Sequence, residues 1–104
     1  MSLPTLTPEQ RSAALLKATA VRRERAAILE DLKHRRRSLA EVLDDTSETV
    51  TRIKVRRLLE AIPGIGSVRA GQVMAELAVP DGRRLQGLGP RQRERLLEKF
   101  PPAA

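Results

Sequence analysis

The chain has 104 residues, enough for one modest hydrophobic core, and carries 20 Lys and Arg against 13 Asp and Glu. It contains no cysteine, which excludes disulfides and cysteine-ligated zinc, and it has no apolar run near the roughly 20 residues that cross a bilayer. The first residues lack the charged-then-apolar layout of a secretory signal, so we expect a cytoplasmic protein without a membrane association.

The positive charge is unevenly distributed and points to a nucleic-acid partner. Residues 1–52 have a net charge of +2, and residues 53–104 have +5. Most of the basic side chains are arginines, whose planar guanidinium group matches two phosphate oxygens. Because Phe100 is the only aromatic residue, the chain has no platform on which single-stranded bases could stack. These features favour a duplex held by its backbone over a basic surface that serves only solubility.

The first predicted element is a long helix that begins in LTPEQ. Thr7 is the expected N-cap, Pro8 takes the first helical position, and Gln10 completes a capping box. No glycine or proline follows until Pro63, and the helix is predicted to run from about residue 8 to about residue 33.

The apolar seam of this helix is uneven. Its first half offers mainly alanines, whereas its second half offers Ile28 and Leu32, so we expect the second half to pack on the domain and the first half to project. A coiled-coil dimer is the alternative, which Arg25 in the seam disfavours. A basic run, HRRR at residues 34–37, follows at the helix end and is either a solvated corner or a phosphate contact. His34 is the only histidine, so we expect no histidine-based metal site, catalyst or cofactor.

Four further helices complete an all-α prediction. A capping box of Ser38 and Glu41 starts a short helix over about 39–45, and DDTSETVTR is then a polar connector. Helices are predicted over about 53–62, from a Ser67 cap to about 77, and over about 90–100, with VPDGRRLQGLG as a loop. The expected organisation is a long N-terminal helix with a basic junction over residues 1–37 and a compact helical domain over residues 38–104.

The stretch IPGIGS predicts a tight turn between two helices. Pro63 ends the first helix, Gly64 and Gly66 permit close approach of a neighbour, and Ile65 is expected to lie under the turn. The backbone N–H groups of Gly64, Gly66 and Ser67 then point outward at the positive end of a helix, which is a binding site for anions. Arg69 lies within reach of the same anion. The pattern LLxxIPGIGxxxAxxVM matches the helix-hairpin-helix motif, which binds duplex backbone; a turn used only for packing or for protein binding is the alternative.

The whole chain resembles the actinobacterial integration host factor family. The similarity is carried by LPTLTPEQRSAALLKA, RIKVRRLLEAIPGIGSVRAGQVMAEL and RRLQGLGPRQRERLLEKF. The resemblance implies a long helix followed by a helix-two-turns-helix domain in a nucleoid-associated protein, one that binds duplex DNA with little sequence preference, shapes it and supports phage integration. It also implies DNA contacts from the turn and from two consecutive arginines, Arg83 and Arg84, that precede the Gly-Leu-Gly segment. The expected DNA-binding residues are Lys54, Arg56, Pro63, Gly64, Ile65, Gly66, Ser67, Val68, Arg69, Arg83, Arg84 and Gln86.

The sequence departs from the family pattern at three places. Ser67 stands where the family typically has a basic residue, Gln86 stands where it has a third arginine, and HRRRS replaces a glycine-containing break after the first helix. Double-stranded DNA remains the expected partner, with phage integrase as a possible second one and a monomer as the expected state in solution. A structured-RNA or ribosome-associated protein is the alternative, since the same fold can bind RNA backbones. An enzyme such as a base-excision glycosylase is not expected, because the chain is too short and too poor in aromatics to line a base-sized pocket.

Overall fold

The computed structural model describes residues 5–101, and all of its regular structure is helical. No β-strand occurs in this region; one isolated antiparallel bridge joins Lys54 to Arg84. The elements are α1 (Pro8–Lys33), α2 (Leu39–Asp44), α3 (Glu48–Thr51), α4 (Val55–Ala61), α5 (Ser67–Glu76), a 3₁₀ turn (Leu85–Gly87) and α6 (Pro90–Lys99). The all-α prediction, with a long first helix and a compact helical region after it, is confirmed.

Helix α1 is long, and only its second half is packed. Its start is as predicted, since Thr7 accepts a hydrogen bond from the Gln10 backbone and the Gln10 side chain accepts one from Thr7 N–H. At about 1.5 Å per residue its 26 residues span roughly 39 Å. Leu15 and Leu16 are 65% and 73% exposed, so the N-terminal half projects away from the core.

A single core holds the remaining helices to the C-terminal half of α1. Helix α1 packs against α3 and α4, α4 against α5, and α2 against α6. The buried apolar residues are Ile28, Leu32, Leu39, Val42, Leu43, Val50, Ile53, Val55, Leu58, Leu59, Ala70, Val73, Met74, Leu77, Val79, Leu85, Leu88 and Leu96. The division between residues 37 and 38 stays a prediction, and the core contains residues from both sides of it.

Helices α1 and α5 both end in a Schellman motif without glycine. Arg35, with φ 58°, and Ala78, with φ 55°, take the left-handed conformation that glycine usually fills. The next residue donates back to the last turn in each case, from Arg36 N–H to the Asp31 carbonyl at 2.8 Å and from Val79 N–H to the Met74 carbonyl at 2.8 Å. The basic run after α1 therefore closes the helix without a glycine.

The structure differs from the sequence-based prediction at three helices. The polar connector contains the one-turn helix α3, which buries Val50 and is too short to show helical periodicity. Helix α4 begins at Val55 and not near Ile53, because both residues bond to the loop that precedes α6. Gly66 is the N-cap of α5 and Ser67 is its first residue, so the prediction that Ser67 caps this helix is wrong.

Membrane-spanning helices and clusters of metal ligands are both absent from residues 5–101. None of their helices has the length and apolar character needed to cross a membrane. Within the same part of the chain, no three histidine, cysteine or acidic residues lie together as metal ligands would.

Candidate nucleic-acid interface

The hairpin turn between α4 and α5, residues 62–66, is built around two glycines with different roles. Gly64 has φ +84°, a conformation that side chains with a Cβ rarely adopt. Gly66 has an ordinary extended backbone, and a Cβ placed there would have no heavy atom of the described chain within 4 Å beyond its two chain neighbours. Neither strain nor internal packing therefore requires glycine at position 66, and its open side lets another molecule approach the backbone.

The turn and the first turn of α5 carry backbone donors that the chain itself does not use. Within residues 5–101, no hydrogen bond satisfies the N–H groups of Gly64, Gly66, Ser67, Val68 and Arg69. Free N–H groups are expected at a helix start, where the helix dipole adds a partial positive charge. Pro63 and all five donor residues are exposed. This end of α5 can therefore accept an anion without displacing any internal hydrogen bond.

Two side chains of the turn fix and shape this surface. Ile65 is half-buried and packs against the core, as predicted, and its N–H donates to the Ile62 carbonyl at 3.1 Å. Val68 points outward and is 74% exposed. The turn is thus anchored on one side by Ile65 and presents its backbone and Val68 on the other.

Arg69 adds a cation at the same place. It is exposed and has no carboxylate within ion-pair distance among the described residues. The acidic residue further along α5, Glu76, is paired with Lys99 instead. The hydrogen bond from Lys99 is the main reason that the pKa of Glu76 lies below its ordinary value, with a smaller contribution from the charge of Arg69.

The loop before α6, residues 80–89, is held against the start of α4. Val55 N–H donates to the Arg83 carbonyl and Leu85 N–H donates to the Ile53 carbonyl, both at 2.9 Å. Leu85 is fully buried and anchors the loop. These contacts bring Arg84 beside Lys54, although 30 positions of sequence separate the two residues.

The two consecutive arginines of this loop, Arg83 and Arg84, have different surroundings. Arg83 is half-buried and its Nη1 donates to the Gly87 carbonyl at 2.7 Å. Its side-chain Cδ would lie 2.6 Å from a Cβ at position 87, so Gly87 provides the space for it. Arg84 is exposed and forms no ion pair within residues 5–101. The loop therefore presents Arg84 to solvent, whereas Arg83 holds the loop in shape.

Arg56 is also engaged within the chain. Its Nε donates to Asp81 Oδ1 at 2.6 Å and its Nη1 donates to the Ser67 carbonyl at 3.1 Å. A Cβ at Gly71 would lie 3.2 Å from its Nη2, so Gly71 leaves room for the guanidinium group against α5. Arg56 thus links the hairpin turn to the loop of residues 80–89, a role that no sequence signal indicated.

The structure sorts the twelve predicted site residues into three groups. Exposed residues on the turn or beside it are Pro63, Gly64, Gly66, Ser67, Val68 and Arg69. Exposed residues at the junction of α4 and the loop are Lys54, Arg84 and Gln86. Residues whose side chains are partly buried and engaged in the fold are Arg56, Ile65 and Arg83.

Comparisons with known proteins agree with this architecture. The model of the S13-like H2TH domain matches residues 32–100. Two proteins named integration host factor, from Mycolicibacterium smegmatis and Mycobacterium tuberculosis, are 52% and 50% identical to the chain; the matches cover 96% and 99% of it and 97% and 100% of the relatives. A third protein of that name, from Streptomyces coelicolor, is 49% identical over 96% of the chain and 95% of its own length.

A solved structure is similar over most of the fold. The structure of sIHF bound to an 8-bp palindromic DNA superposes with a TM-score of 0.79 at 43% identity, and the match covers 81% of this chain and 97% of that one. Together with the three curated relatives and the matched domain, it places this chain in the integration host factor family of mycobacteria and Streptomyces, built on an S13-like H2TH domain.

Proposed function

We propose that the chain is a nucleoid-associated architectural protein that binds double-stranded DNA with little sequence preference. The observation that carries the proposal is the group of N–H donors at the exposed start of α5 that residues 5–101 leave unused, next to Arg69, which forms no ion pair in the same region. Backbone amides directed at an anion hold phosphate well, and the helix dipole strengthens the attraction. The relatives named integration host factor and the similar structure with bound DNA support the same function.

Phosphate binding through amides accounts for low sequence preference. A phosphate looks the same at every base pair, so contacts to it position the protein without reading the sequence. Exposed Val68 lies among the donors and offers an apolar surface to a sugar. The donors are main-chain groups, so replacing the usual basic residue by Ser67 leaves them in place; the Ser67 hydroxyl adds one neutral donor.

Cationic side chains supply the salt-dependent part of the binding. Lys54, Arg69 and Arg84 are exposed and unpaired within residues 5–101. If each neutralises one phosphate, the logarithm of the affinity falls with the logarithm of the salt concentration with a slope of about −3. Arg56 and Arg83 act by holding the turn and the loop together, with their guanidinium groups on internal acceptors.

A duplex suits this surface better than a single strand. Phe100, the one aromatic residue of the sequence, is partly buried against the core, so the chain has no row of aromatic faces for successive bases. Single-strand binding relies on such stacking. The protein therefore holds the backbone of a regular helix, shaping DNA at sites where a recombination complex assembles. We further propose that it acts as a monomer in the cytoplasmic nucleoid and assists a phage integrase through the DNA.

Titration of a labelled duplex of about 20 base pairs over a salt series tests the proposal. Binding with a slope of about −3 to −5, and with similar affinity for unrelated sequences, is the expected result. A slope near zero rejects the neutralisation of phosphates by the three cations, and a strong preference for one sequence rejects backbone recognition. Competition by double-stranded RNA of the same length separates DNA binding from the structured-RNA alternative, which predicts that the RNA displaces the DNA efficiently.

A further inference from the structure

The projecting half of α1 presents a stripe of exposed residues on the side away from the core. Successive residues of a helix lie about 100° apart around its axis, so the buried Leu32 is about 160° from Leu16, which is 73% exposed. Arg25 and the seam that contains it are also on the opposite side of the helix from Leu16. We call the stripe around Leu16 the outer face of α1; its residues, all exposed, are Glu9, Ala13, Leu16, Ala20, Arg23 and Ala27.

The outer face has the residue spacing of a helix that packs along a second helix. Its members follow one another at intervals of 4-3-4-3-4, the seven-residue repeat that keeps one side of a helix against a partner. Three of them are alanines, whose small side chains let two helix axes come close. Between residues 12 and 20 the only charged residue is Lys17, about 100° around the helix from Leu16. The middle of the outer face is therefore uncharged, which suits another helix and not a phosphate backbone.

The two ends of the outer face carry opposite charges that the fold does not pair. Glu9 and Arg23 form no ion pair within residues 5–101. They lie at equal distances from Leu16, one before it and one after it. When two copies lie antiparallel with their Leu16 side chains opposed, Glu9 of each copy therefore faces Arg23 of the other. A parallel pair would place like charges together, which is unfavourable, so the outer face is complementary to its own reversed copy.

We propose that the outer face is a docking surface for a second copy of this chain, which pairs with it through antiparallel α1 helices centred on Leu16. The contact is isologous, with the same residues on both sides and a two-fold axis at the two Leu16 side chains. Exposed ion pairs add little affinity, but they favour one orientation over the other. One leucine and three alanines per copy offer less area than the roughly 1,200 Å² that stable interfaces bury, so the pair is weak and the dilute chain stays a monomer.

The pairing leaves the surface proposed to hold DNA free in both copies. The outer face lies wholly on α1, and neither the hairpin turn nor the loop of residues 80–89 contributes to it. Ile28, where α1 enters the core, follows Leu16 at a distance that sets the two Ile28 residues of a pair roughly 36 Å apart. Each monomer therefore remains a complete unit for holding DNA. Given the proposed function, a pair of monomers can link two duplex segments.

Single cysteines test the pairing directly, because the chain has none of its own. Leu16→Cys places a thiol at the two-fold axis, where the two copies come within reach of a disulfide. The matched control is Leu15→Cys, which is 65% exposed in the wild type but lies about 100° around the helix. Under mild oxidation of concentrated protein without DNA, we expect Leu16→Cys to form covalent dimers about fivefold faster or more, since pairing raises the effective concentration of the facing thiols. Equal rates in the two variants, or no dimer in either, overturn the proposal.

Charge exchange at the ends of the outer face tests the antiparallel orientation. In the Leu16→Cys background, Arg23→Glu places a carboxylate opposite Glu9 at both ends of the pair and should slow dimer formation severalfold. The matched control is Arg22→Glu, the same change of charge at an exposed neighbour about 120° from Leu16. Glu9→Arg together with Arg23→Glu restores opposite charges and should recover most of the rate. An exchange that fails to restore the rate, or an equal effect of Arg22→Glu, contradicts antiparallel pairing.

Duplex binding separates this inference from the proposed function. Cross-linking is measured without DNA, so a wild type that fails to bind duplex rejects the proposed function and leaves the pairing standing. Reduced Leu16→Cys should bind the labelled duplex as tightly as the wild type, because the outer face holds none of the proposed phosphate contacts. If Leu16→Cys binds duplex more weakly than Leu15→Cys does, the outer face belongs to the DNA interface and the pairing is wrong.

Discussion

Gly66→Ala should separate DNA binding from stability, because the added methyl group meets nothing inside the protein. The backbone at Gly66 is extended and its Cβ direction is empty, so the substitution introduces neither strain nor an internal clash. Alanine is a poorer N-cap than glycine by some tenths of a kcal/mol, and it restricts the unfolded chain by a similar amount. We therefore expect the free energy of unfolding to stay within about 0.5 kcal/mol of the wild type.

The same methyl group lies where the proposed phosphate approaches the amides. Loss of one hydrogen bond between an amide and a charged phosphate costs about 1.5–3 kcal/mol, which corresponds to roughly 10- to 100-fold in affinity. The assay is fluorescence anisotropy with a 20-bp duplex, repeated at several salt concentrations. Because no charge is removed, the salt slope should stay the same while the affinity falls by a constant factor.

Gly64→Ala is the contrasting variant at the same turn. At φ +84° alanine is strained by about 1–2 kcal/mol, so this protein should unfold several degrees earlier in a thermal melt. If Gly66→Ala retained wild-type affinity at every salt concentration, the turn amides would not be phosphate ligands.

Three further results are expected. Arg56→Gln removes the link to Asp81 and should lower both the free energy of unfolding, by about 1 kcal/mol, and the DNA affinity, while the salt slope measured by anisotropy stays unchanged. Ala78→Gly relieves a left-handed residue and should stabilise the fold by about 0.5–1 kcal/mol in urea unfolding; no gain would show that φ 55° carries no strain here. Hydrogen bonds, first from the Ser47 backbone, hold the pKa of Asp45 below its ordinary value of 3.8. The ionised Asp45 therefore contributes fully to the free energy of unfolding at pH values above 3.8, and this contribution is lost as the pH falls below that value. Asp45→Asn should therefore flatten the acid limb of a profile of unfolding free energy against pH.

The sequence predicted the parts of the fold that depend on local signals. The capping boxes of α1 and α2 are visible as short patterns, and the change from alanines to Ile28 and Leu32 in α1 predicted which half packs. The turn was predictable because proline and glycine restrict the backbone directly. One-turn helix α3 was missed, since a segment of four residues cannot show a period of 3.6.

The functions of individual arginines were beyond sequence reasoning. Arg56, Arg83 and Arg84 have the same chemistry and lie in basic stretches, yet two of them bond to main-chain carbonyls. Which guanidinium is free depends on the bridge between Lys54 and Arg84 and on the position of Asp81, and both are tertiary contacts. The surroundings of Arg25 were equally unpredictable, because an arginine in the apolar seam of α1 indicates only that the seam is interrupted and not which residues lie opposite it.

Amide and arginine contacts should have separable effects on binding, because only the arginines neutralise phosphate charge. Three exposed cations, Lys54, Arg69 and Arg84, predict a slope of about −2.7. The turn amides add affinity that does not depend on the number of counterions released. Ser67 and Gln86 are uncharged, so they add nothing to the slope and leave the amide contribution intact. A wild-type slope close to −2.7 means that these three side chains account for the phosphate charges that are neutralised, whereas a clearly more negative slope requires further cations at the interface.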